Sequence, residues 1–190
     1  MPLRDGGATR SGVYWRSAHP DGLDAAGWAE LYSVGIRTVV DMRNPDERAD
    51  AAKNPGGIDV LSLPLERLDH PDYATTWQGN WATPEFYVWG RREWPELWRA
   101  VLTAAADASG GVLIHCAGGR DRTGMVVAAI YETAGVERQA ILADYVRGIR
   151  ESSHHDIFTD LVDDYVAALD RMLDGLQPEP ELVRAAARLR

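Results

Sequence analysis

Residues 112–124 read VLIHCAGGRDRTG and are the most informative segment of this sequence. Val112–Ile114 is short and fully apolar, which is typical of a buried strand in a parallel sheet. Cys116 follows within a loop that holds two adjacent glycines, and the apolar spacing from Thr123 to Ala134 predicts a helix. A buried strand that enters a helix through such a loop indicates an α/β domain with a functional site at the end of the strand.

The residue types of the loop suit the binding of a phosphate group. We expect Gly118 and Gly119 to supply positive φ angles, so that successive backbone N–H groups converge on one anion. The N-terminus of the following helix contributes further N–H groups and a favourable dipole. Arg122 can bind two phosphate oxygens with its planar guanidinium. The predicted phosphate-binding residues are Ala117, Gly118, Gly119, Arg120, Asp121 and Arg122.

Cys116 is the predicted nucleophile. The positive surroundings of the loop favour its thiolate form, and a thiolate beside a bound phosphate is placed for in-line attack at phosphorus. Thr123 can donate its hydroxyl to the sulfur and assist its departure in a second step. The alternative is a small buried cysteine with no chemical role. The complete HCxxGxxRTG string between a strand and an apolar helix favours the catalytic interpretation.

The rest of the chain continues the α/β pattern. Strands are predicted at 13–15, 36–40 and 58–63, and helices at 23–34, 45–53, 95–107, 137–150 and 156–173, with a linker at 177–180 and a terminal helix after it. Residues 66–94 form an aromatic-rich excursion with no predicted regular element. Within it, Trp77 and Trp81 suit either a core or an aromatic lid, whereas Trp94 and Trp98 suit the core. We predict one phosphatase domain over 1–176, followed by the linker and helix of 177–190.

Composition narrows the classes of function. The chain has 190 residues, of which 45% are hydrophobic, and this suits one domain with a sizeable core. A net charge of −9 argues against nucleic-acid partners and anionic membrane surfaces. The single cysteine allows no intrachain disulfide and indicates a reducing compartment. We see no signal peptide and no membrane-spanning segment, so we expect a cytoplasmic protein, with unconventional secretion and the oligomeric state left open.

The loop resembles the signature of the protein tyrosine and dual-specificity phosphatase superfamily. HCAGGRDRTG is similar to the HC-x-x-GKDRTG loop of its bacterial branch, whose members act on phosphotyrosine and phosphoinositides. Four further segments resemble motifs of that branch: LRDGGA at 3–8, WRSA at 15–18, IRTVVDMR at 36–43 with Glu47, and the pair Asp144–Tyr145. These matches span residues 3–47 and 112–145.

The resemblance implies a mostly parallel sheet flanked by helices and a two-step reaction that needs no cofactor or metal. Cys116 takes the phosphoryl group, an acid protonates the leaving oxygen, and water hydrolyses the cysteinyl phosphate. The implied substrate is a phosphorylated protein, lipid or small molecule. Arg120 replaces the usual Lys of the branch, and because that Lys is associated with lipid phosphates, Arg120 weakens the lipid alternative.

Two aspartates are candidates for the general acid. Asp121 lies inside the loop, where the matching residue of the branch is thought to act, and it is our first choice. Asp69 follows the predicted 58–63 strand, where the superfamily usually carries its acid, and is second; Asp72 is a weaker candidate. The WPE triplet at 94–96 resembles the WPD motif of eukaryotic relatives, but it opens a helix.

Three other features have simpler interpretations. We expect Arg16 and Arg43 to form structural ion pairs with Asp41 or Glu47, and His115 to orient the loop backbone. His154 and His155 precede Asp156, which we interpret as a helix cap and not as part of a metal site. The rival functional classes are a phosphatase of phosphoinositides or small metabolites and a phosphate-binding module without turnover.

Overall fold

Four parallel strands form the central sheet of the computed structural model, which describes residues 1–48, 56–77, 83–152 and 159–190. The strands are β1 (Tyr14–Ser17), β2 (Ile36–Asp41), β3 (Asp59–Ser62) and β4 (Gly111–His115), in the spatial order β1-β4-β2-β3. The predicted strands and the predicted parallel α/β class are confirmed. Because β4 is internal, the loop that follows it opens at the middle of the sheet's carboxyl edge.

Helices flank this sheet. They are α1 (Ala25–Ser33), α2 (Pro71–Thr75), α3 (Pro84–Glu93), α4 (Pro95–Asp107), α5 (Asp121–Ala134), α6 (Arg138–Arg150), α7 (Val162–Asp174) and α8 (Pro180–Ala187). Helix α4 has the predicted bounds, and α5 begins two residues earlier than predicted. None of the described helices is both long and apolar enough to span a membrane.

Two segment predictions were wrong. The helix predicted over 45–53 is only a 3-10 turn at Pro45–Glu47 in the described part, since residues 49–55 lie outside the description. The aromatic-rich excursion contains α2 and α3, both of which have Pro at the first helical turn. Trp81, His154, His155 and Asp156 lie outside the described residues, so their predicted roles stay predictions.

The two faces of the sheet bury cores of unequal size. On one face α1 covers a small cluster of Trp28, Ile36, Val39, Ile58 and Leu113. On the other face the larger core contains the apolar residues of α4, α5 and α8, among them Leu102, Met125, Ile130 and Leu182. Helix α5 is buried along nearly its whole length. The helix that starts at the loop after β4 is therefore held firmly in the core.

An aromatic cluster fills the space between α2, α3 and α4. Trp94 and Trp98 are fully buried, which confirms their predicted core positions. Trp77 is partly buried, and its ring centroid lies 5.6 Å from those of Phe86 and Trp89. Trp77 thus belongs to this packed cluster and not to an open loop.

Candidate active site

The loop between β4 and α5 places Cys116 at the carboxyl edge of the sheet. The Cys116 side chain is buried, and the Thr123 hydroxyl lies 3.2 Å from its sulfur. His115 is buried beside it, with Nδ1 3.1 Å from the Cys116 carbonyl oxygen, which agrees with its predicted role in orienting the backbone. Burial lowers the pKa of His115, so its imidazole is neutral at physiological pH.

A positive φ angle was predicted for both loop glycines, and only Gly119 has one. Gly119 has φ of 68°, and a Cβ at this position would lie 2.3 Å from the Ser17 carbonyl oxygen. Gly119 is required because the loop runs against the end of β1. The prediction of positive φ at Gly118 was wrong, and a Cβ there would meet no atom within 4 Å.

Arg16 anchors the outer side of the loop. Its guanidinium donates to the Gly119 carbonyl at 2.7 Å and to Asp144 Oδ2 at 2.8 Å. The expected pairing of Arg16 with Asp41 or Glu47 was wrong, because Asp144 reaches it from α6. Arg43 does pair with Asp41, as expected, and also with Asp21. Both residues of the pair Asp144–Tyr145 therefore have a structural role. Asp144 binds Arg16, and Tyr145 packs against Gly124, where a Cβ would lie 2.5 Å from the tyrosine ring.

Arg122 is buried and is held by two carboxylates. Its Nη1 and Nη2 atoms donate to the two oxygens of Glu47 at 2.5 Å each, and its Nε lies 3.5 Å from Glu66 Oε1. Burial by itself would lower the pKa of Arg122, but these carboxylates raise it well above its usual value. The guanidinium therefore keeps its positive charge beside Cys116.

Asp121 and Arg120 form a bidentate pair within the loop. Both distances, from Arg120 Nε and Nη2 to the two carboxylate oxygens, are 2.7 Å. The Arg120 guanidinium also lies 5.7 Å from the centre of the Tyr165 ring on α7. Burial raises the pKa of Asp121 above its ordinary value, although the neighbouring Arg120 acts in the opposite direction. A largely buried carboxyl with a raised pKa suits a general acid.

The other two acid candidates differ from Asp121 in their burial. Asp69 is exposed in the turn before α2, and Asp72 is exposed in the first turn of α2. In the described part of the chain, no hydrogen bond or ion pair joins Asp69 to the loop. No cluster of three or more His, Cys, Asp or Glu side chains that could hold a metal ion occurs among the described residues.

Sequence reasoning missed Glu66 as a residue of the site. Glu66 follows β3, is buried, and accepts a hydrogen bond from Asn44 Nδ2 at 2.8 Å. Burial raises its pKa, whereas the neighbouring Arg122, Asn44 and Tyr87 act in the opposite direction. A single Glu in a segment of mixed polarity gives no sequence signal that distinguishes it from an exposed residue.

The profile of the tyrosine phosphatase family matches residues 1–187, which include every residue of the site described above. The chain belongs to the tyrosine phosphatase family. This membership confirms the resemblance inferred from the loop and its flanking motifs.

Two relatives and one solved structure extend the comparison. The "Triple specificity protein phosphatase PtpB" of Mycobacterium tuberculosis is 33% identical over 173 residues, covering 74% of this chain and 62% of that protein. A "Tyrosine-protein phosphatase" of Nostoc commune is 28% identical over 140 residues, covering 70% and 47%. The matched part of this chain thus spans about half to three fifths of the length of these relatives.

The solved structure is the core catalytic domain of the PP-IP phosphatase SIW14 from S. cerevisiae. It has a TM-score of 0.55 and 14% identity, and the match covers 95% of this chain and 90% of that one. At this identity the likeness shows the common fold alone, which agrees with the parallel sheet and flanking helices described above.

Proposed function

We propose that this protein hydrolyses phosphate monoesters through a cysteinyl-phosphate intermediate. The observation that carries the proposal is the grouping of Cys116, Thr123 and Arg122 at the start of α5, with the Thr123 hydroxyl 3.2 Å from the sulfur. The thiol sits where the backbone of the loop and the N-terminus of a buried helix favour an anion. Membership of the tyrosine phosphatase family supports the same reaction.

The proposed reaction has two steps. The Cys116 thiolate attacks phosphorus, the bond from phosphorus to the ester oxygen breaks, and Asp121 gives its proton to the leaving oxygen. Water then attacks the cysteinyl phosphate, and Asp121 takes one proton from it. The P–S bond breaks, and the sulfur leaves as a thiolate stabilised by the Thr123 hydroxyl. Arg122 and the loop N–H groups hold the equatorial phosphate oxygens throughout.

We propose phosphotyrosine or a related phosphate ester as the substrate. The family description and the names of the relatives support this choice. Phosphoinositides and small phosphorylated metabolites are the second candidates. The Arg120 guanidinium argues against a second substrate phosphate at this position, because it is only 6% exposed and already bound to Asp121. A panel of phosphopeptides, phosphoinositides and nucleotides, compared by kcat/KM, distinguishes these substrates.

We also propose that the protein works in a reducing environment, as in the cytoplasm. A thiolate nucleophile is readily oxidised, and the chain has no second cysteine that could form a protective intrachain disulfide. Activity that survives in oxidising buffer without added thiol would contradict this.

The first test is hydrolysis of p-nitrophenyl phosphate in the presence of EDTA. We expect turnover by the wild type and a loss of at least about a thousandfold in Cys116→Ser, because the hydroxyl is a far weaker nucleophile at neutral pH. A wild type that binds phosphate without turnover would favour a phosphate-binding module. Turnover that requires added metal would contradict the cysteine mechanism.

A further inference from the structure

Arg122 has one edge of its guanidinium left for a substrate. Glu47 accepts from Nη1 and Nη2 and so occupies the edge between these two atoms. The edge that carries Nε faces Glu66, whose Oε1 atom lies 3.5 Å from Nε. A phosphate that binds Arg122 in the bidentate manner must take this second edge, since a guanidinium offers its N–H groups in fixed pairs. The phosphate and Glu66 therefore meet at the same atoms.

Glu66 is poorly satisfied in its present position. Its side chain is only 4% exposed, and its Oε2 atom accepts from Asn44 Nδ2. Its Oε1 atom is buried and makes no hydrogen bond, and the Arg122 Nε atom that it faces as an ion pair lies 3.5 Å away. A buried carboxylate oxygen without a hydrogen bond is costly, whereas a protonated oxygen at the same place could donate to a phosphate.

The charges around Glu66 indicate what phosphate binding would do. Arg122 of α5 and Glu47 of the 3-10 turn face it, together with the hydroxyl groups of Tyr87 on α3 and Tyr73 on α2. Both tyrosines have raised pKa values because of burial, so they remain neutral near physiological pH. A dianionic phosphate would add two negative charges beside two carboxylates and one guanidinium. Such crowding of like charges favours the neutral form of one carboxyl group.

We propose that Glu66 is a positioning residue that holds the Nε edge of Arg122 in the empty loop and takes up a proton when a phosphate replaces it there. This inference rests on the proposed function, because it concerns the same loop. Glu66 is the group that changes, and Glu47 is not: hydrogen bonds from Arg122 lower the pKa of Glu47 despite its burial, whereas burial raises the pKa of Glu66. The proton comes from solvent, and no covalent bond other than O–H is formed.

The test is sulfate binding to the Cys116→Ser protein. Sulfate is a tetrahedral dianion that does not titrate near neutral pH, and the serine removes the contribution of the thiol. Isothermal titration calorimetry in two buffers of different ionisation enthalpy counts the protons taken up. We expect net proton uptake, and an affinity that falls by up to about tenfold per pH unit above the pKa of Glu66.

Glu66→Gln in the same background keeps the shape of the side chain and mimics its neutral form. We expect it to abolish the proton uptake and the associated pH dependence while sulfate still binds. Asp121→Asn is the matched control, because Asp121 is the other carboxyl of the site with a raised pKa. If the Cys116→Ser protein binds sulfate without proton uptake, the inference is overturned. Uptake that persists in Glu66→Gln, or that is lost only in Asp121→Asn, also overturns it.

The failure of the inference is separable from failure of the proposed function. If the Cys116→Ser protein binds no sulfate at all, both the proposed phosphate-binding loop and the inference are contradicted. Sulfate binding with no role for Glu66 in the proton count leaves the phosphatase proposal intact. Weaker binding of Glu66→Gln with unchanged uptake would mean that Glu66 only supports Arg122 structurally, which contradicts the proposed proton uptake.

Discussion

At the scale of single residues, Asp121 and Asp69 are the two candidates for the general acid. Asp121 is largely buried, lies in the same loop as Cys116 and next to Arg122, and is bound to Arg120. Asp69 is exposed and in another segment. A general acid must be protonated for the first step, so activity falls as pH rises through its pKa. The raised pKa of Asp121 places this basic limb above the range of an ordinary aspartate.

We therefore predict that Asp121→Asn removes the basic limb of the kcat profile and lowers kcat by about 10²- to 10⁴-fold for esters of poor leaving groups. The loss should be smaller for p-nitrophenyl phosphate, whose leaving group needs little protonation. The measurement is kcat against pH for phosphotyrosine and for p-nitrophenyl phosphate. Asp69→Asn is the control; if that variant loses the limb and Asp121→Asn keeps it, our choice of acid is wrong.

Residue spacing alone identifies residues of the site only where they are neighbours in the chain. Cys116, Arg122 and Thr123 share one loop, so their spacing alone indicates a common task. Glu66 and the pair of Arg16 with Asp144 come together through the tertiary fold, and no local pattern reports such contacts. The pairing of Arg120 with Asp121 was also missed, because adjacent opposite charges in a sequence more often face solvent.

At the scale of elements, the loop depends on how closely β1 approaches it. Gly119 combines a positive φ with a backbone neighbour, Ser17, that an added Cβ would strike. We predict that Gly119→Ala lowers the free energy of unfolding by at least about 1–2 kcal/mol, the cost of a left-handed alanine alone. Chemical denaturation with urea measures this, followed by fluorescence of the tryptophans.

Gly118→Ala is the matched control for this prediction. Gly118 is the preceding residue, has no positive φ, and would place its Cβ in open space. We expect its free energy of unfolding to stay within about 0.5 kcal/mol of the wild type. Equal destabilisation by both substitutions would contradict the assignment of the close approach to Gly119.

The element boundaries show where sequence patterns are reliable. The continuous β-branched run of β2 and the single apolar face of α4 gave correct predictions because each buries one clear surface. Helix α3 was missed because Trp, Tyr, Val and Gly have modest helix propensity, and packing of Phe86 and Trp89 in the aromatic cluster stabilises it instead. Helix α5 starts two residues early because the loop itself already adopts helical geometry at Asp121.

At the scale of the whole molecule, the packing of the last helix shows whether residues 177–190 belong to the same folding unit as the sheet. Helix α8 packs against α4 and α5, and the Tyr14 hydroxyl of β1 donates to the Ala185 carbonyl at 2.8 Å. The apolar side chains that α8 and the residues after it bury are Leu182, Ala185, Ala186 and Leu189. Since α5 begins at the loop that holds Cys116, we propose that residues 177–190 fold as part of the phosphatase domain and not as an appendage to 1–176.

Two neighbouring residues of α8 test this proposal without truncating the chain. Leu182 is fully buried, whereas Val183 is 48% exposed. We predict that Leu182→Ala lowers the free energy of unfolding by about 2–5 kcal/mol, because it leaves a cavity in the core. Val183→Ala on the exposed face should change it by less than about 0.5 kcal/mol. If α8 is only an appendage, Leu182→Ala will unfold at the same urea midpoint as Val183→Ala. If α8 belongs to the domain, the Leu182→Ala protein will lose its turnover of p-nitrophenyl phosphate and its native tryptophan fluorescence at the same urea concentration, in a single transition.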